Sequence, residues 1–417
     1  MKFRWRERSM VKTDHAAQRL DPKLYMLSIS KFFKDLGTGI LAFLIPLYIV
    51  QTHSVFAPEI PDVVKAGIVT TVFGLFNAFS QPISGRLSDR LDKRKPFVIF
   101  GLAGFIAASV LYSYVSVFEY VVLLRAIQGI TVGAAVPAII AMVTHFSTSG
   151  TRGRAIGIYS SMRGFGYGIG AMVGGIVATY YGFTAGFYLC AFLGLISLLL
   201  VQFFVGETHD RYEKQITSLN NSGSLQFHAL AFAMFIMMVG IMIIFAFLPE
   251  YEVRLQSSQL SLSIAVSAYV ISRVILQTPM GMLSDRYGRK RLILYGLLLN
   301  VPVVLGLGYI TRVEELIVLR ALQGLCMASV ETPVMALAVD LAGGASVSAR
   351  VSSITSAQAA GTAFGPLIGG LLGGYVSFTM PFYVCAAMMA VSLLIVMHMV
   401  TEPGLTGTIN RDPRRSG

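Results

Sequence analysis

"GRLSDRLDKRK" occupies residues 85–95, and "GMLSDRYGRKR" occupies residues 281–291. Both read G-x-L-S-D-R and both end in a basic cluster. Asp89 and Asp285 stand 196 positions apart (285 − 89) in a chain of 417 residues. A charged phrase repeated at nearly half the chain length, each time inside apolar sequence, points to two related halves. The copies differ at one informative place: Gly288 in the second is Asp92 in the first.

The surrounding composition sets the solvent. Hydrophobic residues make up 55% of the chain and charged residues 13%, against about 25% charged in an ordinary soluble domain. The apolar residues fall into twelve runs, at about 26–50, 64–84, 97–116, 120–143, 155–179, 183–205, 228–249, 261–283, 292–310, 316–341, 350–374 and 378–400. A bilayer core about 30 Å thick takes about 20 helical residues to cross, and a helix satisfies its own backbone in lipid. The 41 glycines suit closely packed membrane helices. The expected fold is an all-α membrane protein with twelve transmembrane helices.

The net charge of +12 invites a nucleic-acid reading, which the placement of the charges removes. With both termini on one side, 26 of the 33 Lys and Arg fall on that side. Only Lys65, Arg254 and Arg312 fall on the other, and Arg125, Arg163, Arg273 and Arg320 lie within spans. By the positive-inside rule both termini are expected in the cytoplasm of a cell-membrane protein. The basic N-terminus is suited to anionic lipid. The first apolar run is too long for a cleavable signal peptide. Cys190, Cys326 and Cys385 are far apart and within spans, so apolar packing is expected, with no disulfide and no metal. There is no G-x-x-x-x-G-K-[ST] and no hydrolase constellation, so neither a cofactor nor an enzymatic activity is expected.

More landmarks repeat in the same order. Arg125-Ala-Ile-Gln128-Gly129 matches Arg320-Ala-Leu-Gln323-Gly324, and Gly174-Gly175 matches Gly369-Gly370, each at an offset of 195. "FLIPLY" at 43–48 echoes "AFLPEY" at 246–251. The domain reading is a basic N-terminus at 1–25, a six-helix bundle at 26–206, a polar linker at 207–226, a second bundle at 227–400 and a tail at 401–417. Two pseudo-symmetric six-helix bundles around a midplane cavity are a build of secondary transporters.

With these residues in place the chain resembles the major facilitator superfamily along essentially its whole length. The signature G-x-x-x-D-R-x-G-R-K is complete at 281–290 and altered at 85–94, where Asp92 replaces glycine and Lys93-Arg94 reverses the last pair. R-x-x-Q-G stands at 125–129. The span-5 array of proton-driven exporters is represented by Gly157, Gly166, Gly170, Gly174 and Gly175, with Ala171 in place of its proline. Span 11 carries Gly361, Gly365, Pro366, Gly369 and Gly370. The motifs lie nearest the drug/proton antiporter branch. The resemblance implies alternating access, with a small-molecule substrate and protons as partners, by a protein expected to be a monomer.

Gly85, Asp89, Arg90 and Arg94 in the first phrase, and Gly281, Asp285, Arg286, Gly288 and Arg289 in the second, make up the cytoplasmic gating motif. The aspartates sit at helix C-termini, where the dipole disfavours an anion. The resemblance implies that Asp89 faces the start of span 11 and Asp285 the start of span 5, as latches that close the cytoplasmic side. Topology alone also accounts for the basic residues. The first turn is expected to keep the shape of the second at a small cost and to be the less regular of the two, because Asp adopts positive φ less freely than Gly.

Charges inside spans are functional candidates. At about 1.5 Å per residue, depth pairs Asp35 with Arg163 and Glu331 with Arg273, and separates Asp35 from Arg125. Lys31 and Lys34 are expected to snorkel near Asp35. Buried carboxylates exchange protons near neutral pH, so Asp35 and Glu331 are the proton-coupling candidates. A static ion pair is the alternative for each. Arg125, Arg163, Arg273 and Arg320 form a cavity charge network, and the span-5 glycines a seam against the opposite half. The expected function is proton-coupled export of amphipathic organic compounds. The alternatives are a symporter or exchanger for a small polar or anionic metabolite, and a receptor on a transporter scaffold.

Overall fold

A computed structural model describes residues 20–148, 151–208, 224–342 and 347–402. Most of the expected basic N-terminus, linker and tail lies outside the described residues. Ten stretches among the described residues are long and apolar enough to cross a membrane. One of them, Arg152–Phe204, has 53 residues. As a straight helix it would run about 80 Å, far more than a bilayer. Gly182 turns it at φ 80°, ψ 172°, a conformation that side chains avoid. The stretch is therefore two passes, α5 (152–181) and α6 (183–204).

The other helices follow in order. They are α1 (Pro22–Tyr48), α2 (Asp62–Leu91), α3 (Lys95–Leu111) and α4 (Phe118–His145) before the pair, then α8 (Gln259–Tyr287), α9 (Arg289–Leu307), α10 (Val313–Ala342), α11 (Val347–Tyr375) and α12 (Met380–Met399). Between α6 and α8, Ser224–Met242 and Ile244–Arg254 meet at Ile243 and form one broken helix, α7. Twelve helices result among the described residues. Asp21 starts α1: its Oδ1 accepts the Lys23 N–H at 2.8 Å, and Pro22 occupies the first turn, where no donor is lost.

Helices in lipid gain nothing from apolar contact as such, so close approach decides packing. Gly166, Gly170 and Gly174 of α5 turn towards Phe32, Leu36 and Ile40 of α1, in their own half. A Cβ on Gly166 would stand 2.7 Å from the Phe32 carbonyl oxygen. Gly361, Gly365 and Gly369 of α11 turn in the same way towards Phe235, Val239 and Ile243 of α7. Of the array glycines only Gly175 and Gly370 reach across, to Ser263 of α8 and Val63 of α2, and Pro366 meets Gly67 of α2. The expectation that the span-5 array packs on the opposite half is thus corrected. Its four-residue period binds α5 to α1, and the residues that meet α8 are Gly164, Gly168 and Gly175. Gly157 has open space around its Cα.

The glycine contacts between halves join residues 61–74 of α2 to 363–374 of α11, and 164–175 of α5 to 259–274 of α8. Ser267 of α8 also donates to the Gly168 carbonyl at 2.8 Å. These contacts run from mid-span to the face away from the termini. At the terminal face, Asp89, Arg90, Asp285 and Arg286 are exposed, and no glycine contact joins the halves there among the described residues.

The two repeated turns differ in shape. Asp92 caps α2 at φ 47°, ψ 39°, and α3 starts only at Lys95. Gly288 has φ 103°, ψ 135°, and α9 starts at the next residue. Aspartate tolerates the left-handed helical region but not the glycine region, so the expected common shape is corrected: the first turn is longer.

The seams predict opposite outcomes for two like substitutions. Gly170→Ala places a methyl on the Leu36 carbonyl and is expected to cost about 1–3 kcal/mol, as overpacking does. Gly157→Ala is expected to be neutral or stabilising by up to about 1 kcal/mol. Thermal unfolding of the two variants in detergent measures the contrast.

Candidate functional site

Two matching clamps hold the helices that border the midplane. Arg125 of α4 is buried, and its Nη1 donates to Gln128 Oε1 at 3.0 Å. Its Nη2 reaches the Leu41 carbonyl of α1 at 3.4 Å. Phe73 and Tyr112 present their rings to the guanidinium at 5.3 and 5.9 Å. In the second half Arg320 of α10 is fully buried; its Nη1 donates to Gln323 Oε1 at 2.5 Å and to the Ile241 carbonyl of α7 at 3.2 Å. Gln323 Nε2 donates to the Gly240 carbonyl at 3.2 Å. Gly240 and Ile241 belong to the last turn before the α7 break, where carbonyls lack intrahelical donors. R-x-x-Q therefore grips backbone, using two side chains three residues apart on one face. Neither arginine has a carboxylate within ion-pair distance among the described residues.

Between α8, α10 and α11 the charges are paired. Arg273 Nε donates to Glu331 Oε2 at 2.9 Å and Nη2 to Oε1 at 2.7 Å. Gln358 Nε2 donates to the same Oε1 at 3.0 Å. The Arg273 and Glu331 side chains are 22% and 12% exposed. The pair is thus bidentate and tied to three helices.

Asp35 of α1 is buried and is not joined to Arg163. Its Oδ2 lies 3.1 Å from Lys31 Nζ and its Oδ1 accepts from Lys34 Nζ at 3.1 Å. The expected Asp35–Arg163 pairing is corrected. Gly166 brings α5 against the Asp35 Cβ, but Arg163, about one turn earlier, is exposed, and the lysines on the same helix reach the carboxylate first. Lys31 and Lys34 are not solvated flanking charges. Depth along a span does not report which way a side chain turns, so they were missed as site residues. A spacing of i, i+3, i+4 in K-F-F-K-D was the available signal.

At the terminal face the second phrase works inside its own half. Arg289 pairs with Asp340 of α10, donates to the Ala336 carbonyl at 2.7 Å and lies 3.4 Å from Asp285. The Asp89 and Asp285 contacts to α11 and α5 are not made among the described residues. Two acids that sequence reasoning missed hold this face. Glu207 Oε1 accepts the backbone N–H of Arg94 at 2.7 Å and of Lys95 at 3.0 Å. Glu402 Oε1 accepts the N–H of Arg289 at 2.6 Å. Each caps the third helix of its half with the residue that follows the sixth. V-x-E at 205–207 and again at 400–402 repeats at the 195-residue offset and was the signal.

Two six-helix bundles carry the same clamps at matching positions, the duplicated build of many secondary transporters. The family model "Major Facilitator Superfamily" matches residues 27–224 and 230–415. The chain belongs to the Major Facilitator Superfamily. Among relatives of this superfamily member, Multidrug resistance protein MdtG of Proteus mirabilis is 25% identical over 328 residues, 75% of this chain and 80% of that protein. An uncharacterized MFS-type transporter of Methanocaldococcus jannaschii is 26% identical over 287 residues, 66% and 72% of the two chains. Two solved structures share the fold. A bacterial homolog of the human lysosomal transporter Spinster aligns with TM-score 0.72 at 13% identity, covering 90% of this chain and 95% of its own. The human organic anion transporter MFSD10 aligns with TM-score 0.65 at 17% identity, covering 90% and 100%.

The Arg273–Glu331 pair yields a stability prediction. Glu331→Ala leaves a partly buried guanidinium unpaired and is expected to cost about 3–5 kcal/mol. Arg273→Met with Glu331→Met is expected to recover most of that loss, because two desolvation penalties disappear together. A double-mutant cycle by thermal unfolding in detergent measures it.

Proposed function

We propose that this member of the superfamily is a proton-coupled exporter of amphipathic organic compounds that works by alternating access. The observation that carries the reading is the Arg273–Glu331–Gln358 group: a nearly buried acid held across three helices. Protonation of Glu331 would release Arg273 and loosen α8 from α10 and α11, which ties a proton to helix movement. The likeness to multidrug resistance proteins supports the substrate class. The clustering of Lys and Arg at the terminal face supports a cytoplasmic location for both termini. On that orientation substrate enters from the cytoplasm or the inner leaflet.

Asp89 and Asp285 then serve the other half of the cycle, latching onto α11 and α5 when the inner face closes. The Asp35 cluster and Glu331 are the two proton sites. Arg125 and Arg320 hold α4 and α10 to the broken or proline-bearing helices α1 and α7, and the protein acts as a monomer in the cell membrane. A second reading, transport of a small anionic metabolite, draws on one observation. Within the spans, Lys31, Lys34, Arg125, Arg163, Arg273 and Arg320 outnumber Asp35 and Glu331.

Reconstitution decides between these readings. In proteoliposomes with an imposed pH gradient, the wild-type protein is expected to move a cationic dye such as ethidium against the proton flux, and Glu331→Gln to lose at least tenfold of the gradient-driven rate. Driven uptake of an organic anion with no dye movement would favour the second reading. Separately, Asp89→Asn is expected to raise cysteine labelling within the inner cleft several-fold by favouring the inward-open state; unchanged labelling would leave the phrase a topology signal.

A further inference from the structure

The Asp35 cluster contains one carboxylate and two ammonium groups. Lys31, Lys34 and Asp35 side chains are 10%, 11% and 6% exposed. Both lysines line a cavity of about 30 Å³ between α1, α3, α4 and α6, whose remaining wall is almost wholly apolar, with Leu27, Val98, Leu102 and Val132 among its side chains. The two serines on that wall satisfy each other: Ser30 Oγ is 2.8 Å from Ser197 Oγ and donates to the Ser197 carbonyl at 3.1 Å. A space of this size admits one or two water molecules.

One carboxylate neutralises one ammonium, and the second is left as an excess positive charge in a poorly solvated wall. Burial disfavours whichever form is charged and unpaired. The ring faces of Phe105, 5.7 Å from Lys34 Nζ, and of Tyr159, 5.9 Å from Lys31 Nζ, offset part of this cost. The other titratable or charged groups that reach the cluster are Tyr159 and Arg163 of α5, and Arg163 adds further positive potential. The parts of α3, α4 and α6 that wall the cavity carry no acidic side chain. Relief therefore comes from losing a proton at an ammonium, not from adding one to Asp35.

The lysines are not equivalent. Lys31 lies one turn before Asp35 in i, i+4 register, the geometry of a helical ion pair. The two side chains are equally covered, but Lys34, though it donates to Asp35 Oδ1, faces a ring, Phe105, that carries no acceptor, whereas Lys31 faces the phenol Tyr159. We propose that Lys34 is the proton-carrying group of the α1 cluster. Its ammonium gives one proton to water in the cavity it lines and becomes a neutral amine, while Asp35 stays ionised against Lys31. The amine takes a proton back when the cleft opens to the other face. This rests on the proton-exchange reading above and moves the exchanged proton from the carboxylate to the neighbouring amine.

The test uses the full-length protein in proteoliposomes, with ethidium as the probe and an internal pH dye to follow protons. Absence of pH-driven ethidium flux in the wild type would remove the transport reading itself. With wild-type coupling present, Lys34→Arg is expected to keep the Asp35 ion pair, the thermal stability and downhill ethidium exchange, and to lose at least tenfold of proton-driven flux. Arginine holds its proton, so a structural lysine would be rescued by it and a carrier would not. Wild-type coupling in Lys34→Arg overturns the proposal. If that variant does not fold, Lys34→His decides. Its imidazole is expected to retain flux with the pH midpoint lowered by more than one unit, and an unshifted profile overturns the assignment.

Discussion

Contact between backbones of neighbouring helices is the constraint on which the rest of this structure depends. Leu36 of α1 presses its carbonyl onto Gly170 of α5, and Phe235 of α7 does the same to Gly361 of α11. In lipid there is no water to drive apolar surfaces together, so helices that touch along their backbones gain most from dispersion and weak hydrogen bonds. Three glycines at four-residue spacing make such a seam continuous for two turns. Each of these two seams lies within a half, and a second set, through Gly67, Gly168, Gly175 and Gly370, joins the halves. Only one glycine of each terminal pair, Gly175 or Gly370, faces across. Separate seams inside each half and between the halves give the two-body build of transporters that rock about a midplane site.

The buried cations fall into two kinds. Arg125 and Arg320 are held by a glutamine side chain and a backbone carbonyl. They bind α4 to α1 and α10 to α7 without any acid whose protonation would release them. Arg273 is held by Glu331, and Lys31 and Lys34 by Asp35. Those contacts depend on a titratable partner. Under the proposed function these two kinds divide the work: the buried clamps would keep each half in shape through a cycle, and the acid-paired cations would give a proton or a substrate something to change.

The sequence made the skeleton legible because its signals are one-dimensional. Length and hydropathy mark the spans, and a constant offset marks the duplication. Rotation about each helix axis was not legible. Gly166, Gly170 and Gly174 form a stripe, but nothing in the spacing says whether the stripe meets α1 or α8. Depth brought Arg273 level with Glu331, and the two do meet; it brought Arg163 level with Asp35 as well, and those turn apart. Lys31 and Lys34 looked like flanking charges because the span edge was drawn close below them, whereas α1 begins at Pro22. The turn at Asp92 was read from the residue that replaces glycine. It departs from the turn at Gly288 because ψ, as well as the sign of φ, is restricted once a Cβ is present.

Duplication also separates scaffold from chemistry. At the offsets that align the halves, the glycine seams, R-x-x-Q-G and the capping acids Glu207 and Glu402 all recur. The charges of the cleft do not. The position matching Glu331 is Val136, that matching Arg273 is Asn77, and that matching Arg163 is Gln358, which itself bonds Glu331. Lys31, Lys34 and Asp35 face Met234, Met237 and Met238 in the second half. A pair needed only to hold a six-helix unit together would serve both copies equally well. Charges confined to one copy carry an energetic cost that the other half folds without. Under the proposed function, the asymmetric groups around Asp35 and Glu331 are accordingly where a symmetric scaffold would acquire a direction, one charged cluster in each half and each built from different side chains.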